Sequence, residues 1–138
     1  MKRIAVIYWS GTGNTTAMAK AIAAGMGEGT ELFSVDKFAG NIADYDKIAF
    51  GCSAMGDEVL EEAEFEPFFA SIEGQLGGKK VALFGSYGWG DGQWMRDWAD
   101  RTAKTGANLY DDGLIVNGFP EGEAKVQCTA FGEGFGAY

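Results

Sequence analysis

An apolar strand that runs directly into a loop of glycine and hydroxyl residues is the feature that most constrains this chain. The predicted strand covers residues 3–8, and a helix is predicted to begin near Asn14. Unpaired N–H groups of such a loop and of the first helical turn converge on one point, where the helix dipole favours an anion. The junction therefore predicts a phosphate cradle, formed by Ser10, Gly11, Thr12, Gly13, Asn14 and Thr15.

The residues that this loop lacks narrow the choice of phosphate compound. Asn14 and Thr15 stand where an ATP-binding loop carries lysine and a hydroxyl residue. The dinucleotide pattern also fails, because Thr16 and Ala17 lie where its third glycine would fall. A single terminal phosphate held by neutral donors fits best. A simple strand-to-helix turn capped by Asn14 is the alternative that the loop alone leaves open.

Length and charge limit the classes of function. The 138 residues suit one domain, so we expect residues 1–138 to form a single unit. The net charge of −9 disfavours nucleic acid and acidic membranes as partners and favours basic protein surfaces. The sequence contains no membrane-spanning run and no secretion signal, which predicts a cytoplasmic protein. Cys52 lies in an apolar strand and is predicted to be a buried free thiol.

Strands and helices alternate along the chain. Strands are predicted at residues 3–8, 31–35, 47–53, 80–86 and 108–116, the last with a break at 111–113, and helices at 14–26, 65–75, 92–104 and 121–135. Residues 37–45 are ambiguous, with a short helix as one reading. Glycines are expected to loosen residues 25–29 and the end of the last helix. This alternation predicts an α/β fold, a doubly wound five-stranded parallel sheet with helices on both faces.

Ligands of such sheets bind outside the carboxyl ends of the strands, and two further loops there carry unusual residues. The loop after the third strand contains Ser53, Ala54, Met55, Gly56, Asp57 and Glu58, and the loop after the fourth contains Ser86, Tyr87, Gly88, Trp89 and Gly90. A flat aromatic ligand fits between the Met55 thioether and the Trp89 indole. Core positions for both side chains are the alternatives. Trp94 and Trp98 are predicted to lie in the core, and Trp9 either covers the phosphate loop or belongs to the core.

These three loops resemble those of short-chain flavodoxins, most closely over residues 8–15, 51–58 and 83–90. The resemblance implies the strand order 2-1-3-4-5 and a non-covalently bound FMN. It places the phosphate in residues 10–15 with Ser53 as an added donor, and the isoalloxazine ring between Met55 and Trp89. Backbone groups of residues 55–58 and 86–90 would meet the polar edge of the ring, and Glu58 would accept from its N3–H.

The resemblance also implies a function. It is that of a low-potential one-electron carrier between redox enzymes, cycling mainly between neutral semiquinone and anionic hydroquinone. Residues 55–58 are predicted to form a tight turn with Gly56 and Asp57 at its centre, because the first central position of a type II′ turn requires a positive φ. The resemblance implies that the peptide after Gly56 flips on reduction, so that its carbonyl accepts from the flavin N5–H. The carboxylates of Asp57, Glu58, Glu61, Glu62, Glu64, Glu66 and Asp91 are expected to disfavour the anionic form. They would also guide a monomeric carrier to basic surfaces on reductases, hydrogenases or similar partners.

Three alternatives to this function differ from it in the residues that they require. An FMN-dependent quinone or azo reductase of the same fold is the main alternative, and it would need a second, basic nucleotide pocket that the sequence does not indicate. A response-regulator domain would need clustered aspartates after the first strand and a lysine after the last. A cysteine phosphatase is excluded because neither Cys52 nor Cys128 begins a Cys-x5-Arg motif.

Overall fold

The computed structural model describes residues 3–138 and shows a parallel sheet between two layers of helices. The strands are β1 (Ile4–Trp9), β2 (Glu31–Ser34), β3 (Lys47–Cys52), β4 (Lys80–Tyr87), β5 (Asn108–Leu109) and β6 (Leu114–Asn117). The helices are α1 (Asn14–Met26), α2 (Phe65–Ile72), α3 (Gln93–Ala103) and α4 (Glu123–Ala137). Every predicted strand and helix is present, with ends shifted by no more than three residues; the largest shift is in α2, where residues 73–75 form a separate 3₁₀ turn.

The sheet has the predicted order. Its strands run β2-β1-β3-β4-β5, and β6 pairs with the second half of β4. The fifth strand of the prediction is therefore divided into β5 and β6, which pair in parallel with the two ends of β4. The break lies at the predicted position, residues 111–113. Asp111 and Gly113 adopt positive φ angles of 57° and 98° there. Such angles interrupt the extended conformation of a strand.

The core lies on both faces of the sheet, as the alternation of side chains along a strand requires. In β3, the side chains of Ile48 and Phe50 pack on the same face as Trp98 of α3. The intervening Ala49 belongs to the opposite cluster, which contains Ile22 of α1. Helices α2 and α3 thus cover one face, and α1 and α4 cover the other.

Glycines allow α1 and α4 to approach very closely. A Cβ added to Gly132 would lie 2.1 Å from the carbonyl oxygen of Ile22, and one added to Gly25 would lie 2.1 Å from that of Thr129. The expectation that glycines weaken the end of the last helix does not match its backbone, since α4 continues to Ala137. Packing against α1 supplies a reason for these glycines that helix propensity alone could not reveal.

Two single turns of 3₁₀ helix, Val35–Lys37 and Ile42–Asp44, stand in place of the short helix considered for residues 37–45. Asn41 begins the second turn, and its side chain accepts a hydrogen bond from the N–H of Ala43 at 3.0 Å. Among residues 3–138, no helix is long and apolar enough to cross a membrane.

Candidate functional site

Three loops meet at one edge of the sheet because of the register of its strands. Tyr8 of β1 lies beside Gly51 of β3, and Gly51 lies beside Phe84 of β4. The loops that follow these strands therefore surround a common cleft of about 300 Å³. This arrangement confirms the predicted meeting of the three loops at the carboxyl edge.

Nine of the predicted site residues line this cleft, together with Trp9. They are Gly11, Thr12, Asn14, Ser53, Ala54, Met55, Ser86, Tyr87 and Gly88. None of these side chains carries a charge, so the polar part of the cleft consists of hydroxyls, an amide and backbone groups. Trp9 also covers the first loop, since a Cβ added to Gly11 would lie 3.0 Å from its indole ring.

The first loop leaves donors of α1 available to a ligand. Gly13, with a φ of 95°, occupies the cap position before α1, and it has no side chain that could accept from the first turn. The alternative in which Asn14 caps the helix is wrong, because Asn14 is already the first helical residue. Ser10 Oγ accepts from the N–H of Gly13 at 3.1 Å and closes the loop.

Thr15 does not line the cleft, but its hydroxyl joins the three loops around it. The side chain is fully buried, and its Oγ1 shares a hydrogen bond of 2.7 Å with the Oγ of Ser53. The same Oγ1 accepts from the N–H of Ser86 at 3.3 Å. Ser86 in turn donates through Oγ to the carbonyl oxygen of Gly118 at 2.7 Å. These hydrogen bonds fix the relative positions of the loops.

The loop after β3 is a hairpin with three residues at its tip. The N–H groups of Met55 and Val59 each donate to the other residue's carbonyl oxygen, at 2.9 and 3.0 Å. Gly56 has a φ of 49°, as the predicted turn requires, but Glu58 also has a positive φ, of 57°. The predicted four-residue turn that ends at Glu58 is therefore corrected to a longer loop closed by Val59.

Glu58 connects the second and third loops. Its Oε1 accepts from the N–H groups of Gly92 and Gln93, each at 3.1 Å, at the start of α3. Its carboxylate also lies against Gly90, where an added Cβ would come within 2.7 Å of Oε1. The role expected for Glu58 toward a ring N–H stays a prediction, and in this structure Oε1 already caps a helix.

The two side chains expected to flank a ring differ in position. Met55 is 39% exposed and lines the cleft, whereas Trp89 is 65% exposed and lies outside the lining. The alternative of Trp89 folded back onto the core is therefore wrong. Trp94 and Trp98, at 1% and 2% exposed, lie in the core as predicted.

Comparison with known proteins identifies the family. The flavodoxin family model matches residues 6–133. The chain belongs to the flavodoxin family. It is 50% identical over 132 residues to the flavodoxin of Clostridium beijerinckii, a match that covers 93% of this chain and 95% of that protein. It is 46% identical over 134 residues to that of Megasphaera elsdenii, covering 94% of this chain and 96% of the other.

Solved structures of flavodoxins have the same fold as this chain. The structure of two-electron reduced Megasphaera elsdenii flavodoxin matches this fold with a TM-score of 0.86 and 43% identity, over 98% of this chain and 99% of the other. Flavodoxin 1 from Bacillus cereus matches with a TM-score of 0.87 and 29% identity, over 99% of both chains. Flavodoxins are FMN-binding electron carriers that serve redox partner proteins, and they are not enzymes.

The cleft of this flavodoxin fits FMN by the chemistry of its donors. The uncapped start of α1 and the hydroxyl of Thr12 suit a phosphate, and the amide of Asn14 adds a further donor. Beyond them, Ala54, Met55 and Tyr87 provide an apolar region that suits a flat ring. The polar and apolar halves thus correspond to the two ends of this cofactor.

Several of the acidic residues predicted to act near the cofactor are buried or paired in this flavodoxin. Glu61 is 7% exposed and accepts from the N–H groups of Ala63, Glu64 and Phe65 at 2.7 to 2.8 Å, which caps α2. Burial by itself would raise the pKa of Glu61, but these three donors outweigh it and hold the pKa below its usual value.

Two more of the predicted carboxylates are paired with arginine. Glu66 accepts from Arg101 at 2.7 Å, and Asp91 accepts from Arg96 at 3.0 Å. Glu64 is exposed and accepts from the indole N–H of Trp9 at 3.3 Å. Of the seven predicted carboxylates, all within residues 3–138, Asp57, Glu62 and Glu64 are exposed and form no ion pair.

Two residues that no sequence motif indicates, Asn117 and Gly118, support the third loop. The N–H of Gly118 donates to the carbonyl oxygen of Tyr87 at 2.9 Å, and Asn117 Nδ2 donates to the same oxygen at 3.3 Å. Both residues follow the break in the last strand. The pairing of β6 with the end of β4, which brings them there, has no local sequence signal apart from the turn residues of the break.

Proposed function

We propose that this flavodoxin transfers electrons one at a time and at low potential. Residues 10–15 and Ser53 would hold the FMN phosphate, and Met55 and Trp89 would flank its ring. The observation that carries the proposal is the absence of any charged side chain among the residues lining the cleft. When bound, FMN supplies the redox chemistry, and the protein sets the potential at which it operates.

Because the residues that line the cleft are uncharged, they do not stabilise additional negative charge on a bound cofactor. The phosphate keeps its charge when uncharged donors bind it, and no lining cation offsets a second anionic centre. Two unit charges about 10 Å apart repel each other by roughly 1.7 kcal/mol at an effective dielectric constant near 20. Asp57 and Glu62 add to this repulsion, although exposure to solvent reduces their contribution.

The hairpin after β3 supplies a second way to set the potential of the bound flavin. A Cβ added to Gly56 would meet no atom within 4 Å, and its positive φ is one that glycine adopts without strain, which favours a mobile peptide at this position. We propose that the peptide following Gly56 reorients on reduction, after which its carbonyl accepts a hydrogen bond from the cofactor. The paired hydrogen bonds of Met55 and Val59 hold the base of the hairpin during this movement.

A spectroelectrochemical titration of the FMN-loaded protein tests this function. We expect two separate one-electron steps, with the half-reduced flavin accumulating between them. A single two-electron step would contradict one-electron transfer. Raising the ionic strength should move the lower potential upward, because salt screens the phosphate and the carboxylates. A lower potential that does not respond to salt would contradict the electrostatic part.

The exposed surface beside the cleft suits a basic partner. Met55, Val59 and Trp89 are exposed apolar side chains, Asp57 lies at the tip of the hairpin, and Glu62 follows the hairpin in the chain. We infer that a basic protein surface docks here on a monomeric carrier and dissociates rapidly. Sedimentation at micromolar concentration should give a single species with the mass of one chain.

Small electron acceptors of opposite charge test the docking surface. Oxidation of the reduced protein by hexaammineruthenium(III) should slow as salt rises, whereas oxidation by ferricyanide should accelerate. The double variant Asp57→Asn, Glu62→Gln should reduce this contrast, and the control Glu28→Gln, altered in an exposed loop after α1, should preserve it. Equal salt dependence for both acceptors would contradict an acidic docking surface.

A further inference from the structure

A second cleft lies away from the flavin site, on the surface formed by α1 and α4. It measures about 400 Å³, within the range typical of small-molecule sites. We call it the α1–α4 groove, and its lining residues are Ala17, Lys20, Ala21, Ala24, Phe119, Pro120, Lys125 and Thr129. Apart from two lysines and one threonine, this lining is apolar.

The charge of the groove is opposite to that of the chain. Acidic residues outnumber basic ones by 20 to 11 in the sequence, yet the groove is lined by two lysines and no carboxylate. Both Lys20 and Lys125 are exposed. Neither amine forms an ion pair or hydrogen bond with any residue that the structure describes.

Most other cations in the described part of the chain already have partners. Arg96, Arg101 and Lys104 pair with carboxylates, and Lys79 donates to a backbone carbonyl. The two groove lysines are therefore available to an external anion. Lys125 also lies in the first turn of α4, where the helix dipole favours negative charge.

The apolar part of the groove indicates that a ligand also needs an apolar portion, in addition to an acidic group. Phe119 is 57% exposed, which is unusual for so large an apolar side chain, and it lies beside Pro120 and the alanines of α1. A ligand that covers Phe119 and the alanines would remove apolar surface from water, while its acidic group would reach the lysines. A simple inorganic anion would satisfy only the lysines.

We propose that the α1–α4 groove binds an amphipathic carboxylate, meaning a small molecule with an acidic head on an apolar chain or ring. The carboxylate would lie between Lys20 and Lys125, and the apolar part would cover Phe119 and the alanine face of α1. The volume of the groove and the isolated pair of lysines favour a small molecule over the broad surface of another protein.

Octanoate serves as the probe, added to the FMN-loaded protein and followed by calorimetry and by amide NMR shifts. We expect saturable binding, with shifts confined to residues 17–24 and 119–129. The double variant Lys20→Gln, Lys125→Gln should bind about tenfold more weakly, and Phe119→Ser should also lose affinity. All of these substitutions are at exposed positions, so the variants should fold. The control variant Lys37→Gln, which changes an exposed lysine outside the groove, should bind octanoate as tightly as the parent.

The neutral analogue 1-octanol keeps the apolar chain but lacks the carboxylate. The parent protein should therefore bind 1-octanol no more tightly than the double lysine variant binds octanoate. The proposal is overturned if octanoate does not saturate, if the lysine substitutions leave its affinity unchanged, or if the shifts fall on Met55 and Trp89. It is also overturned if octanoate fails to bind and sedimentation shows a concentration-dependent dimer, because a second copy of the chain would then cover the groove.

Discussion

Single residues determine how the loops around the cleft are held. Thr15 is the clearest case, because one buried hydroxyl connects the phosphate loop to Ser53 and Ser86. The sequence predicts Thr15 as a site residue from its place in the loop. Its role in joining three loops could not be predicted, since it depends on the register between β1, β3 and β4.

Gly56 is the residue whose substitution should affect redox behaviour most selectively. In Gly56→Ala, the positive φ of 49° becomes costly, and the reorientation of the following peptide is hindered. Loss of one hydrogen bond of about 0.5–1.5 kcal/mol should lower the first one-electron potential by roughly 20–65 mV. A redox titration measures this shift.

Gly74→Ala is the matched control, since Gly74 also has open space but lacks a positive φ. Both potentials of this control should equal those of the parent. If Gly56→Ala accumulated as much half-reduced flavin as the parent, the proposed role of the hairpin would be wrong.

The cysteines should be inert in the folded protein. Burial raises the pKa of Cys52 to about 12, although the N–H of Glu61 that donates to its sulfur partly opposes this effect. Burial also raises the pKa of Cys128 to about 11. At pH 8 neither thiol should react with Ellman's reagent until guanidinium unfolds the chain, after which both should react. Rapid reaction of one thiol in the native protein would contradict this prediction.

At the scale of helices and strands, the sequence predicts the type of each element better than its contacts. The four-residue spacing of Met18, Ile22 and Met26 predicts the buried face of α1, and these side chains are buried. The turn residues 111–113 likewise predict the break in the fifth strand. The caps of α2 and α3 were not predicted, because Glu61 and Glu58 lie outside those helices and reach them only after the hairpin has folded.

The Glu61 cap should contribute to stability in a pH-dependent way. Glu61→Ala removes the acceptor of three N–H groups at the start of α2, and we expect a loss of about 1–2 kcal/mol in the free energy of unfolding at pH 7. The folded pKa is lowered, so the stabilisation is fully present above the unfolded pKa and declines as pH falls through the folded value.

Urea unfolding of the parent and Glu61→Ala at neutral and acidic pH measures this effect. The difference in stability should shrink below about pH 4, where the unfolded carboxyl becomes protonated. The exposed neighbour Glu62 provides the control, and Glu62→Ala should change stability by less than about 0.5 kcal/mol at either pH. A difference for Glu61→Ala that stays constant with pH would rule out the charged cap.

The α1–α4 contact should not tolerate a methyl group. Gly132→Ala places a Cβ 2.1 Å from the carbonyl oxygen of Ile22, so the helices must separate. We expect a loss of about 1–3 kcal/mol, despite the better helix propensity of alanine. Thermal denaturation compares this variant with Gly74→Ala, which has room for its Cβ. A Gly132→Ala protein as stable as the parent would contradict the close approach of the two helices.

At the scale of the whole molecule, the predicted sheet order, two-sided core and common cleft are all present. The prediction succeeded because the strand-loop-helix alternation leaves few ways to arrange a parallel sheet. Charge counting could not show that Glu61 is buried or that Glu66 and Asp91 are paired with arginines. Trp89 lies outside the cleft lining, and its predicted contact with the ring stays a prediction.

We propose that the uncharged donors of residues 10–15 and Ser53 bind the phosphate of FMN. Fluorescence titration of FMN and of riboflavin, which lacks the phosphate, with apoprotein tests it most directly. FMN emission should fall to an endpoint at one equivalent, and riboflavin should bind more than about tenfold more weakly, since hydrogen bonds to a charged group contribute about 1.5–3 kcal/mol each. Unchanged FMN emission, or equal affinity for riboflavin, would contradict the account.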